Sequence, residues 1–589
     1  MKKKPVRPVD SFKTYTLDQD KVCTPVETVE RFKNHLAEID LDILQDVRRI
    51  DNGRLDIPVY FSVCGKDALE IIGEKKQMGK GSTPDQSRAS ACMELAERFS
   101  FFSFKNTPDN FITGSYSDLE AAGHPLMPLE RILQSVHDKT TDKTTFKKLL
   151  EDVPIQWTWA TNLTKNKEVL IPFSWFFAIN EFNGPSAGNS YEEAIIQGVC
   201  EIVERHVSAV ISHEKIRVPL IDPDSVTGKI AKELVRKFRD NSIEFYLSDF
   251  TLDTGIPTVA TLAIDRTTFP DSSEIVFTAG AAPDPEKALI RAMTEVAQLS
   301  GDFNTSANYV ASGLPKPLSM DEVDYVTDPG SAIRLDAMAN ISNDNLKVEI
   351  ENCMTALSGL GMEVYVVNTI HPKLQVPAIY TIVPGAHFRE RSRINNVGLF
   401  AAKLVAEQIT DPEESNNRLL KMAKMLPKSY FIEFYIGRNM LALYRYEEAL
   451  NHFEQALKCG PGEEDLPYVY SYMGACMKDM ERYSDAIDVL LKGSDLDDER
   501  PDIHNLLGFC HFKLKEYETA ITHFKRTVEL NPSSAMDYAN LGINYQKIGK
   551  NEQAAGYFEL ALTLDPSITF ARDNLAEILA QQEMRPGTE

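Results

Sequence analysis

Three segments far apart in this chain carry a glutamate at one fixed distance from a helix start. Thr83, Ser190 and Asp284 have the residue type and the flanks of helix N-caps, and Glu94, Glu201 and Glu295 each follow eleven residues later. Three positions further on come Glu97, Glu204 and Gln298, and four positions before the glutamates stand Ser90, Gln197 and Arg291. Residues at i, i+4 and i+7 share a helical face, so each segment presents a polar stripe: Ser-Glu-Glu, Gln-Glu-Glu and Arg-Glu-Gln. Three such helices converging would gather five carboxylates, which repel one another unless something cationic lies between them. Hard carboxylate oxygens suit a hard divalent cation, and with it a phosphate ligand. A single Glu-x-x-Glu-Arg reads as a solvated face with i,i+4 ion pairs, which Arg98 and Arg205 would supply. Solvation alone does not require three segments to share one register.

The caps argue for the helices. Thr83-Pro84-Asp85-Gln86 and Asp284-Pro285 pair a capping residue with proline at the first helical position, and Ser190-Tyr191-Glu192-Glu193 reads as a capping box. Glu193 is therefore either the box partner of Ser190 or part of the site. Small residues, among them Ala91, Gly198 and Ala292, fill the opposite faces. Glycine-containing stretches precede all three caps: Met78-Gly79-Lys80-Gly81-Ser82, Gly184-Pro185-Ser186-Ala187-Gly188-Asn189 and Thr278-Ala279-Gly280-Ala281-Ala282. Read as loops, they offer free backbone N–H groups to phosphate oxygens. The stretch Gly73 to Gly81 is not a Walker loop, because it has the wrong spacing and glycine follows the lysine where Ser or Thr would meet magnesium.

With 589 residues the chain calls for two to four domains. A net charge of −24 argues against general binding to nucleic acid or anionic membranes. No run of about 20 apolar residues is present to span a bilayer, and the basic start lacks the apolar stretch of a signal peptide. The eight cysteines form no Cys-x-x-Cys, which fits free thiols in a reducing cytoplasm. Over the first 410 residues strand-like stretches (59–63, 156–160, 257–264, 275–278, 363–367, 377–383) alternate with helical ones (26–37, the three capped segments, 345–357), an α/β or α+β pattern.

The last 160 residues or so are periodic. Glycines 437, 474, 508 and 542 are each followed twelve residues later by alanines 449, 486, 520 and 554, and four after those by Phe453, Leu490, Phe524 and Phe558. Prolines 461, 532 and 566 mark repeat ends. This resembles the tetratricopeptide repeat, with two antiparallel helices per 34 residues. Residues 429–589 are expected to hold four repeats and a capping helix near 570–582, with 411–428 as a helical connector. Arg438, Ala475, Phe509 and Ile543 follow the glycines, so the asparagine-and-lysine clamp for chaperone tails is missing. This segment holds 15 Lys+Arg against 27 Asp+Glu, which favours a basic partner, and such repeats also mediate homo-oligomerisation.

Taken together, Gly79-Lys80-Gly81, Ser90-x3-Glu94-x2-Glu97-Arg98, Ser186-Ala187-Gly188-Asn189, Glu201-x2-Glu204-Arg205 and Arg291-x3-Glu295-x2-Gln298 resemble the YcaO family over about residues 15–410. The resemblance implies an α+β domain that binds ATP and Mg2+ without a P-loop. It makes Glu94, Glu97, Glu201, Glu204 and Glu295 metal ligands, and Ser90, Asn189, Glu193, Arg205 and Arg291 nucleotide contacts. Lys21 and Thr28 resemble the Lys-x6-Ser of the founding member, with Thr for Ser. Better-known members phosphorylate a peptide amide oxygen, which permits cyclodehydration, amidine formation or thioamidation. The C-terminal Met584-Arg-Pro-Gly-Thr-Glu589 differs from the proline-rich tail of azoline-forming members. The layout is closer to the founding subgroup, implicated as an accessory factor in β-methylthiolation of a ribosomal protein. The implied partners are a peptide or protein substrate and a sulfur-donating or methylthiolating enzyme. The alternative is a non-catalytic, ATP-bound adaptor working through its repeats.

Overall fold

The computed structural model describes residues 3–51, 53–73, 77–151, 153–180, 182–271, 273–300, 303, 317–328, 330–388, 396–531 and 534–583. Residues 74–76, the repeat-end Pro532 and the tail 584–589 lie outside them. The chain forms two compact units, 1–151 with 155–397, and 152–154 with 398–589.

The first unit is α+β, and its described residues form three sheets. Strands Leu44–Arg49, Val59–Cys64 and Gln77–Lys80 make an antiparallel three-stranded sheet. A second sheet has the order Val276–Ala281, Thr258–Ile264, Glu244–Asp249, Leu220–Asp222, Ala332–Arg334. The third has the order Ile112–Gly114, Ile155–Asn162, Tyr365–Asn368, Ala378–Ile382, Pro185–Ala187, with Lys167–Pro172 paired to Ile155–Asn162. In each sheet an edge strand leads straight into one capped helix. Gln77–Lys80 precedes the first capped helix, Pro84–Lys105; Pro185–Ala187 precedes the second, Tyr191–Glu214; Val276–Ala281 precedes the third, Pro285–Ser300.

The caps form as the sequence predicts. Thr83 Oγ1 accepts from Gln86 N (3.2 Å), Ser190 Oγ from Glu193 N (3.3 Å) and Asp284 Oδ1 from Glu286 N (2.8 Å). The box at Ser190 is only half made, because the Glu193 carboxylate reaches past Ser190 to Asn189 N (2.8 Å).

The glycines before the caps act differently from the sequence expectation. Gly79 and Gly280 lie inside strands, paired with Tyr60 and Val259, and Gly188 gives its N–H to Pro377 O (3.1 Å). The N–H of Gly188 is therefore already taken, and Gly79 and Gly280 belong to strands, not loops. Close packing explains two of them: a Cβ on Gly79 would fall 2.1 Å from Ala91 N, and one on Gly280 2.5 Å from Ala288 O. Strand hydroxyls then bond the helices directly, Ser62 Oγ to Ala91 O (2.8 Å), Ser186 Oγ to Ala194 O (2.8 Å) and Thr278 Oγ1 to Ala292 O (2.9 Å). Each stripe is thus fixed to its sheet through the helix's small-residue face.

Two cores hold this arrangement. The second capped helix buries Ile195, Val199, Ile202 and Val203 with Leu262, Ala279, Val366 and Ile379 of the two larger sheets. The opposite face of the second sheet, including Val259 and Ala263, packs with Leu289, Met293 and Val296 of the third capped helix and with helix Lys229–Asp240. Elements absent from the sequence reading have an identifiable cause. Leu44–Arg49 is a charge-rich edge strand, and Phe173–Asn180 is a helix almost wholly buried, so neither shows a clean period.

The second unit contains four helix pairs: Tyr430–Ala442 with Tyr446–Lys458, Leu466–Asp479 with Tyr483–Leu496, Pro501–Lys513 with Tyr517–Leu530, and Ala535–Lys547 with Asn551–Leu564. Thr569–Glu583 follows. A Cβ on Gly437, Gly474, Gly508 or Gly542 would come 2.7, 2.4, 2.9 or 2.6 Å from Phe453, Leu490, Phe524 or Phe558, so the glycine makes room for the residue sixteen positions on. Helix Pro412–Met425, read from the sequence as a connector, is built into this stack. It buries Leu419 and Met422, and Asn439 Nδ2 donates to its Ser415 Oγ (2.9 Å) and Asn416 Oδ1 (2.8 Å). The unit therefore starts before residue 411.

The unit's acidity is unevenly placed. Each first helix of a pair holds one acid and one base, whereas the second helices together hold ten acids and four bases. The acidity that favours a basic partner therefore does not extend to the first helices.

Three histidines of the third pair meet. His523 stacks on His504 and His511 at 5.5 and 5.4 Å, and His504 also contacts Asp498 O (3.0 Å). Burial, then the neighbouring His504 and His511, push the His523 pKa down to about 4. With an unfolded value near 6.5, the unfolded chain binds more protons between about pH 4 and 6.5, so stability rises with pH across that window and is level above it. The urea midpoint of the repeat unit in the full chain should fall between pH 6.5 and 4.5, and fall less in His523→Gln. Parallel pH profiles for the two proteins would refute this.

Candidate functional site

The three stripes point into one cavity of about 300 Å³ in the first unit. Ser90, Glu94 and Glu97 come from the first capped helix, Glu193, Glu201 and Glu204 from the second, and Arg291 and Glu295 from the third; Asn189, Arg205, Lys21 and Thr28 line the same walls. All twelve residues singled out from the sequence reach it.

Lys21 and Thr28 arrive on the N-terminal segment. Tyr15 and Lys21 exchange backbone hydrogen bonds (2.9 and 3.0 Å), and Lys287 Nζ holds the turn between them through Leu17 O (3.0 Å). Thr24 caps helix Pro25–Glu38 in a full capping box with Glu27. That places Thr28 in the first turn, where its hydroxyl donates to Thr24 O (3.0 Å). Glu193 joins this segment to the site, since its carboxylate accepts from Val22 N (2.6 Å) as well as from Asn189 N and Nδ2 (2.8 and 3.1 Å). With both oxygens engaged, Glu193 positions Asn189 and the Lys21 segment.

The protein partly neutralises its own carboxylates, through Arg98 and Arg205 as their spacing suggests and also through Lys80 and Arg291. Arg98 lies 3.4 Å from Glu97 and 3.9 Å from Glu94, Glu204 lies 3.7 Å from Arg205 and 3.8 Å from Arg291, and Lys80 pairs with Glu295. The charge count alone thus does not demand a metal. The arginine contacts are long, however, and among the described residues Glu201 forms no ion pair.

Protonation preferences show which charges stay under-compensated. Burial raises the pKa of Glu94, Glu97 and Glu201, each opposed by its neighbouring arginine, and burial with the charge of Glu295 brings Glu204 to about 7. Burial also acts upward on Glu295, but Lys80 and Arg205 outweigh it and leave that carboxyl lowered. Arg291 Nη1 donates to Gln197 Oε1 (2.8 Å), linking the second and third helices, while its buried Nε has no hydrogen-bond partner. Such a site suits a divalent cation among the glutamates and an anion against the arginines.

Gln197 and Gln298, members of the stripes, also line the cavity, as do Lys80 and Arg98. Lys80 was legible as part of the Gly79-Lys80-Gly81 element, but its pairing with Glu295 was not.

The family model described as YcaO cyclodehydratase, ATP- and Mg2+-binding, matches residues 78–387, and tetratricopeptide repeat models match 501–534 and 538–568. An uncharacterized protein of Methanothermobacter thermautotrophicus is 28% identical over 380 residues, covering 61% of this chain and 93% of its own length. The ribosomal protein S12 methylthiotransferase accessory factor YcaO of Escherichia coli is 30% identical over 142 residues, 24% of each chain. The structure of YcaO from Methanopyrus kandleri, bound with AMPPCP and Mg2+, shares the fold with a TM-score of 0.50 at 23% identity, over 64% of this chain and 94% of that one.

Proposed function

This chain belongs to the YcaO family, with ATP and Mg2+ as its cofactors and tetratricopeptide repeats at its C-terminal end, and from that membership we propose that it activates a backbone amide of a peptide or protein by phosphorylation. The observation that carries the reading is the convergence of three stripes, in one register, on a single cavity whose glutamates are mostly pushed up in pKa. Glu94, Glu97, Glu201, Glu204 and Glu295 would hold Mg2+, and Lys21, Thr28, Ser90, Asn189, Arg205 and Arg291 the nucleotide. ATP with Mg2+, bound there, supplies the phosphoryl group that turns an unreactive amide oxygen into a leaving group.

The remaining roles fall to the chain's own residues. Arg291, hydrogen-bonded to Gln197, is held with its guanidinium at the cavity wall, where it would meet a phosphate oxygen. Glu193 fixes Asn189 and the Lys21 segment against the cavity. Sheet-anchored helices keep the carboxylates from spreading apart, a preorganisation that catalysis by positioning requires.

The accessory role named for the E. coli relative supports a finer reading, in which this chain works beside a sulfur-donating or methylthiolating enzyme. Among the described residues no helix is long and apolar enough to cross a membrane. The direct test is release of ADP and phosphate with candidate peptides or proteins present and absent. Substrate-dependent release is expected. Tight nucleotide retention without turnover under every partner would overturn it in favour of an ATP-bound adaptor.

A further inference from the structure

The first helices of the four repeat pairs line one continuous face. Phe434 meets Tyr472 at 5.3 Å between ring centroids, Ser471 Oγ donates to Asp502 Oδ2 (2.7 Å), and Asn505 Nδ2 donates to Asp537 Oδ1 (2.6 Å). These contacts step from each first helix to the next.

Charge on this face is not what the unit's composition suggests. Its four acids are all engaged: Glu433 with His452 (2.7 Å), Asp479 with Lys478 (2.7 Å), Asp502 with Arg500 (2.8 Å), and Asp537 with Asn505. Its bases are less occupied. Among the described residues Arg438, Lys513 and Lys547 form no ion pair, and Lys513 and Lys547 are exposed.

The cations are interleaved with aromatic rings. Arg438 lies over Tyr472 at 5.8 Å and Lys513 over Phe509 at 5.4 Å, a ring also flanked at 5.5 Å by Lys478, the one cation here that is paired, with Asp479. Such stacking holds a cation at the surface without cancelling its charge. Tyr468 and Met536, each 50% exposed, add apolar surface to the same helices.

We propose that this face docks an extended acidic peptide segment bearing aromatic or aliphatic side chains. Charge complementarity selects the occupant. A carboxylate-bearing segment meets available cations and apolar surface between them, whereas a basic segment would meet like charge and find the acids already bonded. The chain's net charge of −24 points the other way, so the local arrangement decides the partner's chemistry.

The test is peptide selection on the intact chain. A randomised 12-residue display library is panned against the full-length protein and against the double reversal Lys513→Glu/Lys547→Glu, with Lys513→Gln/Lys547→Gln as a milder pair should the first fold poorly. Equal melting midpoints establish that the variants fold. Enrichment of Asp, Glu and aromatic residues is expected, with affinity of the selected peptides falling about tenfold in the reversal and falling with added salt. Enrichment of Lys- or Arg-rich peptides, binding unchanged in the reversal, or no enrichment would overturn the proposal. So would a self-associated state of the protein dispersed by the reversal, since a second copy of the chain would then be the occupant.

Discussion

Replacing Glu201 by Gln lowers the affinity for ATP in the presence of Mg2+ by about 100-fold, while the protein without nucleotide melts at the same temperature or higher. The binding loss follows from removing an anionic oxygen ligand from the centre of the middle stripe, since deleting one member of a buried charged contact costs about 2–5 kcal/mol, and 2.7 kcal/mol is a factor of about 100. The second half has the opposite cause. Without a ligand Glu201 is half-buried, unpaired among the described residues and raised in pKa by desolvation, so an uncharged amide of the same shape removes a desolvation penalty. A site that holds its carboxylates ready for a cation does so at the expense of the ligand-free fold. Isothermal titration with ATP and Mg2+, beside a calorimetric melt of each protein, reads both quantities. Unchanged nucleotide affinity in Glu201→Gln would refute the assignment of the stripes.

Replacing Lys80 by Met gives the reverse pattern in the ligand-free protein. Lys80 stands on the strand that feeds the first capped helix, its ammonium pairs with Glu295 of the third, and both side chains are largely buried, 22% and 15% exposed. Removing the ammonium leaves Glu295 compensated only by the more distant Arg205 and Arg291 and costs about 1–3 kcal/mol, less than a fully buried pair because both side chains keep some exposure. Mg2+ with ATP should restore most of that loss, because a bound cation takes over the compensation. Lys80→Met/Glu295→Gln should be nearly as stable as the wild type, since an uncharged pair leaves no orphaned charge. Melting of the four proteins, each with and without Mg2+ and ATP, forms the cycle. Additive losses in the double variant would mean that the ion pair does not couple strand Gln77–Lys80 to the third capped helix.

Both predictions depend on features that differ in how far the sequence discloses them. The three-fold register, the caps and the glycine–alanine–aromatic period are local patterns. A helix start fixes the angular position of every residue on it, so cap-to-glutamate spacing alone determines that the three stripes are equivalent. The same holds for Gly437 and Phe453, whose sixteen-residue separation is set by two helices and one turn. From these the three polar stripes, their carboxylates and the repeat unit follow, whereas Lys21, Thr28 and Asn189 entered only through the resemblance to the YcaO family.

What the tertiary structure decided was pairing between distant segments. Lys80 meets Glu295 across 215 positions, and Glu193 meets Val22 across 171; no periodicity relates such residues. Gly79 and Gly280 looked like loop residues because glycine permits a loop, yet they sit in strands because a helix backbone passes within contact distance, a constraint that exists only once sheet and helix pack. Net charge is a sum over the chain, whereas recognition depends on which face each charge occupies and whether it is already paired. The acids of the first repeat helices are bonded while Arg438, Lys513 and Lys547 are left available, a distribution the sequence could not disclose because ion pairing depends on distances in space, not on composition.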